Sequence, residues 1–294
     1  MSARYTRKSV LGLAIAALAG AAPIAAKGAD WSDSSLSWRY GTHFAEPFNN
    51  QDIKKNIFAL THASGYKYGT NFLNVDMLNS DSKDPSSFAS SSGANEVYVV
   101  YRHTLDFGKI RGSDIKFGPA RGVGLTAGFD YNTKGDAGYN SKKRMLVLGP
   151  TLMMDVPGFL NISWLILRQS NNPSVTPGAF NPGYPGYRYT YKTHPMLTAA
   201  WGMPLGALPL SFEGYANFIG KKGNDETGAP TARETNIDMQ VMYDLGTAMG
   251  TAKNSFRVGL EYQYWKNKFG NDHSSFAGKG AFAKTPMIRA EYHF

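Results

Sequence analysis

The 294-residue chain contains no cysteine, which removes disulfides, thiolate metal sites and thiol nucleophiles and suits a protein that crosses an oxidising compartment unfolded. Beyond its first residues it also lacks any apolar stretch of about 18 residues or more, so none of its helices could cross a bilayer. Its six histidines, His43, His62, His103, His194, His273 and His293, form no HExxH or other compact metal spacing. Gly-x-Ser-x-Gly is missing, and Gly122-Val123-Gly124 lacks the third glycine of a phosphate-binding loop. The nearest approach to the His and Ser of an outer-membrane lipid hydrolase is His273 with Ser275, in a Gly- and Ser-containing stretch where a solvated histidine is the simpler reading. No catalytic residue, metal site or cofactor is therefore assigned, and the chain is read as a non-enzyme. Basic residues outnumber acidic ones to give +9, but they are scattered singly among acids, unlike the footprint of a nucleic-acid polymer partner.

The N-terminus supplies a compartment. Arg4, Arg7 and Lys8 precede an Ala-rich apolar run from Val10 to Ala26, the layout of a cleavable secretory signal peptide. Small residues at Ala25, Ala26, Gly28 and Ala29 place cleavage between Ala25 and Ala29. A single transmembrane anchor is the alternative, but Pro23 interrupts the run and no basic stop-transfer cluster follows. Residues 1–26 are thus read as the signal peptide and 30–294 as one domain. Losing residues 1–26 removes three basic and no acidic groups and leaves a modest +6.

Abundant Tyr, Phe, Trp and Gly, with short Asn, Asp, Ser, Gly and Pro clusters, point to strands. Leu36, Trp38, Tyr40 and Phe44 alternate with Ser37, Arg39, Gly41 and His43, and Phe256, Val258, Leu260, Tyr262 and Tyr264 alternate with Arg257, Gly259, Glu261, Gln263 and Trp265. Such alternation over about ten positions fits a strand with lipid on one side and water on the other. It also fits a soluble sandwich. Counting separates the two. Strands are predicted at about 34–44, 55–64, 66–78, 96–105, 122–132, 142–154, 159–169, 188–201, 209–219, 234–244, 255–267 and 284–294. Twelve is even, as a bacterial barrel with both termini at one rim requires. Connections after odd-numbered strands are long and polar, among them 45–54 and 79–95, whereas tight ones such as Ser64-Gly65 and Asp155-Val156-Pro157-Gly158 follow even-numbered strands. The Ser-rich tract from Ser86 to Ser92 reads as a loop. The stretch from Asp106 to Arg121 breaks the pattern by being long on the short side.

The expected fold is therefore an all-β, closed antiparallel transmembrane β-barrel of about 12 strands in the outer membrane of a Gram-negative bacterium. Its last strand places Ile288, Ala290, Tyr292 and Phe294 on one face and resembles the segment read by the barrel assembly machinery, a partner during biogenesis. The pore-lining candidates for substrate binding are Arg39, His43, Asp76, Arg102, Asp130, Glu213, Tyr215, Asn217, Arg257, Glu261, Gln263 and Trp265. Asn74, Lys192, His194, Asp238 and Gln240 are read on the same inner face. These residues would either fill a narrow barrel with structural salt bridges or line a narrow pore for small polar solutes. Flat rings rich in hydrogen-bond groups would suit such a pore, since aromatic side chains stack on them.

Two segments carry a family resemblance: Asn71-Phe72-Leu73-Asn74-Val75-Asp76-Met77-Leu78 with Ser80-Asp81, and Tyr262 to Asp272. Shorter pieces agree, namely Phe117-Gly118-Pro119, Val156-Pro157-Gly158-Phe159, Phe212-Glu213-Gly214 with Asn217, and Tyr292-His293-Phe294. Together they resemble the nucleoside-specific channel-forming porins (Tsx-like), over about residues 36–294. The resemblance implies a monomeric twelve-stranded barrel passing nucleosides and deoxynucleosides by diffusion through weak sites. Other small aromatic or polar solutes, or an outer-membrane barrel lipid hydrolase, are the alternatives.

Overall fold

The computed structural model describes residues 29–84, 93–135, 139–175 and 187–294. The signal-peptide expectation for residues 1–26 and the Ser86 to Ser92 loop lie outside them. Twelve long strands follow one another: β1 (Ala29–Glu46), β2 (Asn49–Tyr66), β3 (Gly69–Ser80), β4 (Asn95–Asp106), β5 (Ala120–Gly135), β6 (Lys142–Met154), β7 (Phe159–Asn171), β8 (His194–Pro204), β9 (Leu210–Ile219), β10 (Glu234–Asp244), β11 (Phe256–Lys266) and β12 (Phe282–His293). Each pairs antiparallel with its neighbours, and β12 returns to β1 in the register Ser35↔His293 through Gly41↔Met287. The sheet is a closed barrel, so neither end strand is left with unpaired backbone groups.

Alternation fixes which face is which. Outward side chains include Leu146, Leu148, Trp164, Ile166, Leu260 and Ile288, all exposed. Their inward neighbours Val147, Leu165, Leu167, Glu261 and Met287 are buried. The barrel thus carries its apolar surface outside and a mixed charged and apolar core inside, the reverse of a soluble sandwich.

Ala29, where β1 begins, and the C-terminal end of β12 lie at one rim, together with the connections after β2, β4, β6, β8 and β10. The turn Asp155 to Gly158 is as short as predicted, with Gly158 at φ 82°, a conformation glycine adopts freely. The Asp106–Ala120 excursion contains a short helix, α1 (Phe107–Arg111), started by Asp106 Oδ1 accepting from the amides of Gly108 and Lys109 and ended by Gly112 at φ 75°. A second one, α2 (Leu245–Ala248), follows β10.

The structure moves three predicted boundaries. The long polar connection expected at 45–54 is a two-residue turn, Pro47-Phe48, because β1 and β2 continue as strands of 18 residues each. Asn50, Asp52 and Lys54 are exposed between buried Asn49, Ile53 and Lys55, so this polar run is strand standing above the apolar belt. The next turn lies at Lys67-Tyr68 rather than Ser64-Gly65, and β8 begins at His194 rather than near 188.

Candidate functional site in the barrel lumen

From mid-height toward the rim with the termini the inner wall carries a ladder of alternating charge. Arg39 on β1 donates to Asp76 on β3 and, through Nη1, to Glu261 Oε1 on β11 at 3.3 Å. Glu261 has no exposed side-chain area and also accepts from Arg289 Nη1 at 2.7 Å. Arg289 and Arg257 both donate to Glu291, and Arg257 continues to Glu213 on β9, whose Oε2 accepts from Gln240 at 3.1 Å. Each guanidinium stands between two carboxylates, which is how charges withdrawn from water are made tolerable. The facing wall is slimmer. Asp130 accepts from Tyr98 Oη at 2.7 Å and from Arg102 Nη1 at 2.5 Å. Beside them the hydroxyls of Thr104, Thr126, Thr151 and Ser163 touch in a row across β4 to β7, at 2.8, 2.6 and 2.7 Å.

The half of the lumen away from the termini is filled. Lys55 Nζ lies 2.7 Å from Glu46 and 3.3 Å from Asp84, and Lys134 Nζ lies 2.7 Å from Asp84. Two apolar groups share this level, Phe44 with Ile53, Ile57 and Met287, and Val147 with Leu165, Leu167 and Met196. Over them the segment Asn267 to Gly270 turns inward, with Asn267 and Phe269 at φ 54° and 60°. Phe269 N donates to Glu234 Oε1 at 3.2 Å, Lys268 Nζ reaches Glu46 at 3.1 Å, and Lys143 Nζ sits 2.9 Å from the Phe269 ring centroid. Burial presses the Lys268 ammonium below the usual lysine range, although Glu46 pulls the other way.

Of the predicted pore-lining residues, Arg39, Asp76, Arg102, Asp130, Glu213, Tyr215, Asn217, Arg257, Glu261, Gln263 and Trp265 stand on the inner face. His43 does not. A β-bulge between Gly41 and Phe44 shifts the alternation, leaving His43 exposed and turning Phe44, read as outward, into the core. Trp265 faces inward, but Phe269 packs against its ring at 4.8 Å and its Nε1 donates to Glu234 at 2.6 Å. Asn217 accepts from Thr198 at 2.6 Å, and Gln263 donates to Asp238 at 3.2 Å. Lys192 is exposed before β8, whereas His194 is buried on the inner face.

Inner aromatics were missed, among them Tyr98, which donates to Asp130, and Phe72. Phe72 stands opposite Arg102 on β4 and is 39% exposed. Its period-two spacing from Asn74 and Asp76 was the available signal. Below it, at the rim with the termini, a cavity of ≈ 200 Å³ is lined by Trp31, Thr70, Thr104, Asp106, Lys109 and Arg121. The inner wall therefore leaves open ring surface toward that rim and closes toward the other. His273 and Ser275 are not brought together as a dyad: His273 Nδ1 lies 2.8 Å from Asn267 Oδ1, and Ser275 Oγ donates to the Asp272 carbonyl.

No protein-family model and no curated protein sequence matches the chain. Solved barrels resemble it in outline. The translocator domain of the autotransporter NalP from Neisseria meningitidis is 12% identical, with 97% of this chain and 95% of that one covered at a TM-score of 0.47. The NanC porin is 11% identical over 89% of this chain and 99% of its own, at a TM-score of 0.39. For OccK11 (OpdR) of Pseudomonas aeruginosa the identity is 10%, the coverage 91% and 97%, and the TM-score 0.38.

Proposed function

We propose that this chain is an outer-membrane channel for small polar solutes and that nucleosides and deoxynucleosides are its substrate class. The observation that carries the channel reading is the inverted surface: apolar side chains outside, as hydrocarbon requires, around a polar, charge-laddered lumen. Closure within one chain supports a monomer. The nucleoside reading is supported by the resemblance and by Phe72, an inward ring opposite Arg102, whose guanidinium, with the Asp130 carboxylate that accepts from it, offers a donor and an acceptor to the edge of a base. Residues 1–26 are proposed to be removed on export, and the terminal strand to be read by the assembly machinery. Mass spectrometry of the membrane-inserted protein should find an N-terminus between Ala26 and Asp30.

Planar-bilayer conductance tests the function. Adenosine or thymidine at millimolar concentration should reduce ion current, because a solute held in a narrow pore blocks ions, and release must stay fast. Normal ion current with no block by any nucleoside would remove the substrate assignment and leave a channel of other selectivity.

A further inference from the structure

The connection between β9 and β10 is a small hairpin folded toward the mouth. Asn224 bridges to Pro230, Asp225 N donates to the Ala229 carbonyl at 2.8 Å, and Gly228 N to the Asp225 carbonyl at 3.0 Å. Gly228 takes φ 88° to complete the turn. Glu226 occupies the tip of that turn and reaches past the ends of β8 and β7. Its Oε1 accepts from the Tyr139 hydroxyl and from Asn171 Nδ2 at 3.0 Å, and its Oε2 accepts from the Tyr191 hydroxyl. Asn171 and Tyr191 are buried. Lys222, also buried, lies over the Tyr191 ring at 4.4 Å and donates to Gln169 at 3.4 Å. Among the described residues neither Lys222 nor Lys143 makes a direct ion pair, whereas Lys55, Lys134 and Lys268 in the same half do.

Donors from three separate segments thus converge on the two oxygens of one carboxylate, with two ammonium groups nearby. Burial works against the charged form of Glu226, but the Tyr139 and Tyr191 hydroxyls outweigh it and hold the carboxyl below its usual range. The same burial raises Tyr191 and lowers Lys222. Nothing in this donor set requires the carboxylate to be tethered. Apart from Glu226, the hairpin tip is bonded to the 187–193 segment through the Tyr189 hydroxyl and the Asn224 carbonyl, at 2.9 Å. Gly223 at φ 83° precedes the tip, its carbonyl accepting from Thr231 N at 2.8 Å and from Thr231 Oγ1 at 2.7 Å.

We propose that this is a carboxylate-binding site occupied by the chain's own Glu226, and that a small organic carboxylate from outside displaces Glu226 and frees the hairpin from the mouth. A two-oxygen anion is specified because the donors address the oxygens separately, which a halide cannot match. The proposal does not depend on which solute the lumen carries.

The absence of cysteine makes the test clean. Leu167→Cys places a thiol on the fully buried inner wall beneath the site. Its labelling by a cationic, membrane-impermeant thiol reagent is followed in folded protein, checked by faster migration unboiled than boiled. Benzoate at tens of millimolar should accelerate labelling severalfold over chloride at equal ionic strength. Adding Glu226→Gln should accelerate it about tenfold without benzoate, and Glu226→Asp should stay near the parent. Tyr191→Phe, which keeps the ring, gives an intermediate rate and serves if the Gln variant fails to fold. Equal rates with and without Glu226→Gln overturn the latch. Acceleration by Glu226→Gln but none by benzoate overturns the carboxylate site.

Discussion

Removing Arg39 isolates the worth of the charge ladder. Arg39→Met keeps the stem and deletes the guanidinium that joins Asp76 to Glu261. Breaking a fully buried pair costs about 3–5 kcal/mol, because a charge is stranded away from water. Two features reduce that figure. Glu261 keeps Arg289, and the Asp76 side chain is 18% exposed and keeps the Asn74 amide at 2.9 Å. The expected loss is therefore about 2–3 kcal/mol, roughly 30- to 150-fold in the folding equilibrium. Neutralising the stranded partner should restore about half, so Arg39→Met with Asp76→Asn should be more stable than Arg39→Met alone. The control is Lys116→Met, whose pairing with Asp114 is 69% and 79% exposed and should matter by under about 0.5 kcal/mol. Urea titration in micelles, read by tryptophan emission and by the unboiled gel band, gives all four midpoints. If Arg39→Met unfolds at the same urea concentration as Lys116→Met, the ladder contributes no stability and the pairing argument is wrong.

Replacing Phe72 by Ala should weaken nucleoside block by about 1–3 kcal/mol, while Trp38→Ala on the outer face should leave it unchanged; equal effects would mean the faces are misassigned. Glu226 has a folded-state value below the open-state one, so its contribution to closure is complete above the ordinary glutamate value near 4.3 and is lost as pH falls through the lowered value. Labelling of Leu167→Cys, normalised to an exposed Thr227→Cys, should then be flat from pH 8 to about 5 and rise only in stronger acid. Deleting Phe294, whose amide donates to the Ser34 carbonyl at 2.9 Å, should lower outer-membrane yield more than deleting Ser91, and equal yields would detach the terminal residue from assembly.

The strand count was legible because alternation with period two is local and because each wall segment repeats it. The projecting part of the β1–β2 hairpin was not, since over residues 45–54 polar residues dominate both faces, Ile53 apart, and a strand there looks like a loop. The facing of Arg39, Glu261 and Asp130 could be read from their neighbours, yet one of the two partners of Arg39, Glu261, lies 222 residues away and depends on how the barrel closes. One bulged residue was enough to exchange His43 and Phe44. The Glu226 donor set was invisible for a related reason: Tyr139 and Tyr191 lie in connections whose spacing carries no period, and Asn171 is the last residue of β7.

The pairing of β1 with β12 has a mechanical corollary. The two strands run antiparallel and end at the same rim, so a pull applied to the termini loads their ladder one bond at a time, as a zipper, rather than all at once in shear. Resistance to such a pull would come less from the closing seam than from Arg39 and Arg289, which tie β1 and β12 to Glu261 on β11. The barrel should accordingly yield in discrete hairpins from that rim, with the first sizeable force peak at the release of those two arginines.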